Sequence, residues 1–275
     1  PWGTMTYFDY KKRIEFEDAE FKIIDTHAKK LNIDWFASPW DVPSVDFLEK
    51  FDVPCHKIAS ACVTDTELLS AINQTKKTTI LSTGMSSIDE IDKAVATLVD
   101  VPLAIAQSTS TYPCVASELN LRAIISLAER YNVPTGYSGH EHGLQATIAA
   151  VALGARVIEK HFTLDKAMDG PDHKASLEPA ELQAMVKAIR NIELAISGSG
   201  EKEVSESEMK NIIVARKSIH LNNAMKAGQQ IQKKDLVMKR PGDGISPMKI
   251  DSVIGKIVSQ DLQKDHKLEL KDLKN

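Results

Sequence analysis

Between residues 34 and 197 a short apolar run ending in small polar residues recurs, and each recurrence is followed by a helix-length amphipathic segment. Strand 34–38 (DWFAS) precedes helix 44–51, strand 56–60 precedes helix 66–74, strand 79–82 precedes helix 88–99, and strand 102–108 precedes helix 120–131. A strand closing at His140, a small-residue helix over 143–153 and a strand over 155–162 follow, and helix 179–197 ends the series. A helical stripe of Phe21, Ile23, Ile24, His27 and Ala28 comes before it, within 17–31. Strands separated by helices cannot pair as hairpins. They lie parallel, with the helices as crossovers. Six strands are counted, whereas a closed (β/α)8 barrel needs eight. The visible set starts with a helix, which puts the missing pair before residue 1. An open six-stranded sheet is the alternative.

Each strand ends in small polar residues or glycine: FASP, KIAS, LSTG, QSTS and GYSGH. In a parallel barrel these ends share one mouth. Serine and threonine hydroxyls and nearby backbone N–H groups there suit a phosphate or carboxylate. The stretch GYSGHEHGLQATIAAVALGARVIEKH stops two consecutive strands at histidines, His140 and His161, 21 residues apart. Two neutral imidazoles at one mouth can hold one divalent metal. A lone histidine is ordinarily a loop or core residue. The symmetric placement, with GPDHK following at 170–174, favours the metal.

After Gly200 the texture changes. Residues 201–213 are polar and charged and are expected to be a linker, and 214–275 a small β-rich domain. There KAGQQIQKKDL at 226–236 is echoed 37 residues later by QKDHKLELKDL. Between the copies, KRPGDGISP forms a tight exposed loop around Arg240, in composition an ordinary surface arginine. A formal net charge of -4 gives no footprint for nucleic acid or an anionic membrane. No apolar run reaches the roughly 18 residues of a membrane span, and the first 18 residues, without a clear period, read as a packed loop with no signal-peptide core. A soluble cytoplasmic protein is expected. The three cysteines, Cys55, Cys62 and Cys114, are odd in number and lack CxxC spacing, so free thiols are expected.

FASPWDVPSVDFLEKFDVPCHKIAS, ILSTGMSSIDEI, STSTYP, LNLRAI, GYSGHE, ALGARVIEKHFTLD, GPDHKASLEP and KRPGDGISP, in this order, resemble the sialic acid synthase family. The resemblance covers nearly the whole chain. It implies a TIM barrel of the phosphoenolpyruvate-condensing type, here lacking its first two strands, over residues 1–200, and an antifreeze-like SAF domain over 214–275. It implies N-acetylneuraminate synthesis from phosphoenolpyruvate and an N-acetylated hexosamine such as N-acetylmannosamine. A divalent metal, Mn2+ or Mg2+, and a domain-swapped homodimer are implied as well. The family's metal ligands fall on His140 and His161. Its phosphoenolpyruvate contacts fall on Ser38, Lys57, Ser60, Ser82, Ser110 and Ser138. Its sugar-facing positions fall on Tyr112, Asp172 and the partner's Arg240.

Two departures follow from the same resemblance. The family carries a lysine and an acid upstream of residue 1, and an acid where this chain has Cys62. A synthase for a legionaminic-type acid or for a 6-phosphorylated sugar, and a non-catalytic chain, are the alternatives.

Overall fold

The computed structural model describes residues 4–170 and 172–275, and the chain divides into two units, Pro1–Gly198 and Ser199–Asn275. The first unit runs α1 (Tyr7–Ile14), α2 (Asp18–Leu31), α3 (Val42–Glu49), β1 (Cys55–Ile58), α4 (Thr66–Thr75), β2 (Thr78–Ser82) and α5 (Ile88–Thr97). It continues through β3 (Leu103–Ser108), α6 (Ala123–Tyr131), β4 (Thr135–Gly139), α7 (Gln145–Ala152), β5 (Val157–Lys160) and α8 (Pro179–Ala195). The five strands form one parallel sheet in chain order. Sequence neighbours paired in space through helical crossovers make this sheet an arc of a TIM-barrel wall.

The helices start where side chains satisfy their first N–H groups. Asp41, Asp65 and Ser87 accept from the backbone N–H three residues on, and Glu178 and Glu181 close a capping box around Pro179. The sheet then buries both faces. Toward the helices, Ile58 and Leu81 pack with Leu68, Leu69 and Ile72 of α4, while Ile105 packs with Ile91 of α5 and Leu127 of α6. Burying each such side chain stabilises by about 1.5–3 kcal/mol. The opposite face is lined by Cys55, Ile80, Ala104 and Ala106, with Val157 against them. A Cβ on Gly136 would lie 2.8 Å from the Val157 carbonyl oxygen, so only glycine fits between β3 and β5 there.

Two expectations are corrected. Residues 34–38 pair with no strand among the described residues, which leaves five strands rather than six. Trp35 holds this segment instead, donating from Nε1 to Asp25 at 3.1 Å and packing against Phe21 and Phe51 at 5.7 and 5.6 Å. An apolar run reads the same whether aromatic packing or a ladder fixes it. The first residues are not a loop throughout, because Thr6 caps α1 by accepting from Asp9 N.

The second unit comprises α9 (Glu206–Ala215), β6 (Ser218–Leu221), β7 (Leu236–Lys239), α10 (Ile250–Val253), β8 (Ile257–Val258) and β9 (Leu273–Lys274). Helix α9 occupies most of the stretch read above as a linker. Its capping box, Ser205 with Glu208, was visible in SESE. The pairs β6–β7 and β8–β9 are antiparallel, and their apolar residues form one core around Ile219, Leu221, Met225, Val258, Leu262 and Leu268. The sequence repeat is a structural one. Met225 and Leu262, 37 positions apart, exchange both backbone hydrogen bonds at 2.8 Å. Asn222 N bonds Asp235 O as Ser259 N bonds Asp272 O. Equivalent residues pairing with one another mark a local two-fold axis.

Candidate active site

Alternate residues of a strand share a face. The inner face of Cys55, Ile80, Ala104 and Val157 therefore continues, toward the strand ends, as Lys57, Ser82, Ser108, Ser138 and Glu159. The ladders set Ser108 opposite Ser138 and Ser138 opposite Glu159. The last β4–β5 pair is Gly139 with Lys160, so His140 and His161 follow one step beyond. Lys57, Ser82, Ser108, Ser138, Glu159, His140 and His161 line one cavity of about 350 Å3, together with Trp40, Ser60, Met85, Ser110 and Tyr112.

The floor of this cavity is polar. Lys57 Nζ lies 3.3 Å from Glu159 Oε1. The Ser60 hydroxyl accepts from Gly84 N at 3.0 Å. A Cβ on Gly84 would come within 2.2 Å of Ser110 Oγ and 2.8 Å of Ser60 Oγ, so glycine lets the two hydroxyls converge. Ser82 Oγ and Ser108 Oγ are buried without a hydrogen-bond partner among the described residues. A buried hydroxyl left unpaired costs about 1–3 kcal/mol, which a ligand oxygen recovers.

The rings of His140 and His161 lie 5.3 Å apart, and Tyr112 packs on both, at 4.1 and 5.5 Å. A carbonyl oxygen only accepts, so the 2.8 Å contact of His140 Nδ1 with Thr109 O is a donated N–H. The Nε2 lone pair is thereby left free, and burial pushes His140 below its usual 6.5, which keeps the ring neutral. A fixed tautomer with a backbone partner is the usual support of a metal-binding imidazole. Among the described residues no group of three or more His, Cys, Asp or Glu side chains gathers for a metal. The two imidazoles are a donor set of a kind that would suit a divalent ion.

The cavity brings together Lys57, Ser60, Ser82, Ser110, Ser138, Tyr112, His140 and His161. Ser38 lies elsewhere, in an adjoining cavity with Lys11 and Asp41, although Trp40 borders both. Asp172 lines a third, with His173, and its carboxylate is 3.9 Å from His161 Nδ1. Arg240 belongs to the second unit, where it is exposed and donates from Nε to Ala215 O at 3.0 Å. Cys62 packs in the core with Val45, Ile58 and Leu68 and does not line the cavity. Burial, then the Asp65 charge, pushes its thiol up, so it stays protonated. Burial also raises Tyr112, helped by the Asp172 and Glu159 charges, and keeps its hydroxyl a donor. Sequence reasoning missed Glu159 and Ser108. The period-two pattern of Val157, Glu159 and His161, and of Ala104, Ala106 and Ser108, carried the signal.

The NeuB family pattern matches residues 1–202, and the SAF domain pattern matches 216–274. The chain is 40% identical over 259 residues to the N,N'-diacetyllegionaminic acid synthase of Campylobacter jejuni subsp. jejuni, covering 92% of this chain and 77% of that one. It is 38% identical over 231 residues to the pseudaminic acid synthase of the same organism, covering 83% and 67%. The N-acetylneuraminic acid (sialic acid) synthetase structure from Leptospira borgpetersenii superposes with a TM-score of 0.68 at 36% identity, over 72% of this chain and 70% of that one. These relatives are synthases of nonulosonic acids, and the chain belongs to the NeuB family, with an SAF domain after its barrel segment.

Proposed function

We propose that the chain joins phosphoenolpyruvate to the open-chain aldehyde of an N-acetylated hexosamine, forming a nonulosonic acid and releasing inorganic phosphate. The observation that supports it is the convergence of one lysine, five serine hydroxyls and two imidazoles on one cavity at the strand ends. Lys57 and the hydroxyls of Ser60, Ser82, Ser110 and Ser138 bind the phosphate and carboxylate, with Ser38 contributing from the adjoining cavity. A divalent ion, Mn2+ or Mg2+, held by His140 and His161, supplies Lewis-acid polarisation of the aldehyde oxygen when bound.

C3 of the enol phosphate attacks the aldehyde carbon, forming the C–C bond as the carbonyl π pair moves to oxygen, which takes up a proton to become a hydroxyl, and water adds at C2 with loss of a proton. The C2–O bond to phosphate then breaks as the C2 hydroxyl gives its proton to the leaving phosphate, leaving the keto group. Glu159 faces the cavity and takes the proton from this water, while the Tyr112 hydroxyl donates to the sugar. Asp172 accepts from sugar hydroxyls, and the partner's Arg240 presents its donor fork in a swapped homodimer.

N-acetylmannosamine, giving N-acetylneuraminate, is one acceptor. A hexosamine with a second acetamido group is the other, favoured by the 40% identity to a diacetyllegionaminic acid synthase. Phosphate release with Mn2+, phosphoenolpyruvate and each acceptor in turn tests both. Release requires the acceptor and stops on chelation, and the faster acceptor identifies the product. No release with either sinks the reading.

A further inference from the structure

Directly behind the two histidines lies a buried ion pair that the chemistry above does not use. Lys160 and Glu141 meet at 3.1 Å with side chains 2% and 6% exposed, and neither lines the cavity. Each is the chain neighbour of one histidine. Lys160 Nζ also donates to the Glu141 carbonyl oxygen at 2.9 Å, so one ammonium holds both the side chain and the backbone of the residue after His140. The carboxylate is saturated by two further donors, Tyr137 OH at 2.7 Å and Thr147 Oγ1 at 3.2 Å. Gly139 makes the fold-back possible, because a Cβ there would lie 2.6 Å from Glu141 Oε2.

The network spans three elements: Tyr137 stands on β4, Thr147 on α7 and Lys160 on β5. His140 O accepts from Cys114 N at 3.0 Å, which ties the same turn to the loop after β3. A buried ion pair is a poor source of net stability, since desolvation offsets its attraction, and its best-attested use is to fix geometry.

We infer that the Glu141–Lys160 pair is a positioning clamp that sets the separation and orientation of His140 and His161. This rests on the role proposed above for the two imidazoles. Glu141 and Lys160 touch no substrate and act only through the neighbouring histidines.

The test uses the full chain and two readouts, one of them independent of metal. In histidine-labelled, metal-free protein, ring-to-ring NOE intensity between His140 and His161 is compared for wild type, Glu141→Gln/Lys160→Met and Tyr137→Phe. The double variant leaves no charge unpaired and preserves the shape, so it is expected to fold. Tyr137→Phe removes one hydroxyl from the same carboxylate and is expected to act in the same direction, more weakly. The NOE is expected to fall at least threefold in the double variant. Mn2+ affinity is expected to fall about 10–100-fold, as when other outer supports of metal ligands are removed, with the affinity for phosphoenolpyruvate alone unchanged. An NOE of wild-type strength in both variants overturns the clamp, whatever Mn2+ does. Loss of the NOE in a protein whose wild type binds no Mn2+ sustains the clamp and removes the metal role.

Discussion

Gly84 is the residue where backbone space and ligand binding meet most directly. Its N–H supports Ser60, and the space where a Cβ would sit is filled by two hydroxyls. Serine hydroxyls rotate, so Gly84→Ala is expected to fold while turning Ser60 and Ser110 away from the cavity. A rise of about tenfold in KM for phosphoenolpyruvate, equal to about 1.4 kcal/mol, with a nearly unchanged Tm, is the expected result in steady-state kinetics and melting. Ser108 gives a prediction of two signs. Its hydroxyl is buried with no hydrogen-bond partner among the described residues, so Ser108→Ala is expected to raise the stability of the ligand-free chain by about 1 kcal/mol. The same change is expected to weaken phosphoenolpyruvate binding, measured by calorimetry. Stabilisation with unaltered affinity would remove Ser108 from the binding surface.

At the scale of elements, the two halves of the small unit use the same device. Gln232 N bonds Asp235 Oδ2, and Glu269 N bonds Asp272 Oδ2, each opening a short turn into β7 or β9. Asp272 is fully buried and also accepts from His266 Nε2 at 2.9 Å and Gln260 Nε2 at 3.2 Å. Burial works to raise its carboxyl, but these hydrogen bonds outweigh burial and hold it below the usual 3.8. A carboxyl depressed on folding contributes stability that is complete above 3.8 and lost as pH falls through the folded value. Hydrogen-exchange protection across β6–β9 is therefore expected not to vary with the protonation of Asp272 at neutral pH and to fall below 3.8. Asp272→Asn is expected to cost about 1.5–3 kcal/mol at neutral pH, the worth of bonds to a charged acceptor, and to blunt the acid response. An unaltered acid response would show that another carboxylate carries it.

At the scale of the whole molecule, the swapped homodimer proposed above is open to complementation. His140→Ala and Arg240→Ala are each expected to abolish condensation. In a swapped dimer, random exchange of the two inactive chains leaves one intact site in half of the dimers, so about a quarter of the wild-type activity is expected to return. No recovery after verified exchange of subunits would assign Arg240 to its own chain's site or to none.

The order of strands and helices, the parallel sheet and the polar strand ends were legible in the sequence, because period and turn chemistry are local properties of the chain. So were the pairing of His140 with His161 and the two-fold repeat of the small unit. The capping box of α9 and the inward phase of Glu159 and Ser108 were equally local, and simple alternation contains them. Tertiary structure alone decided the rest. Whether residues 34–38 form a strand depends on the chain they meet, and Trp35 meets an aromatic cluster. Ser38 and Asp172 fall in cavities adjoining the one that holds Lys57, and no local pattern specifies which cavity a residue lines. The Glu141–Lys160 pair joins residues 19 positions apart in sequence. No local pattern announces a buried ion pair, because two charges read as solvated until packing removes the water between them.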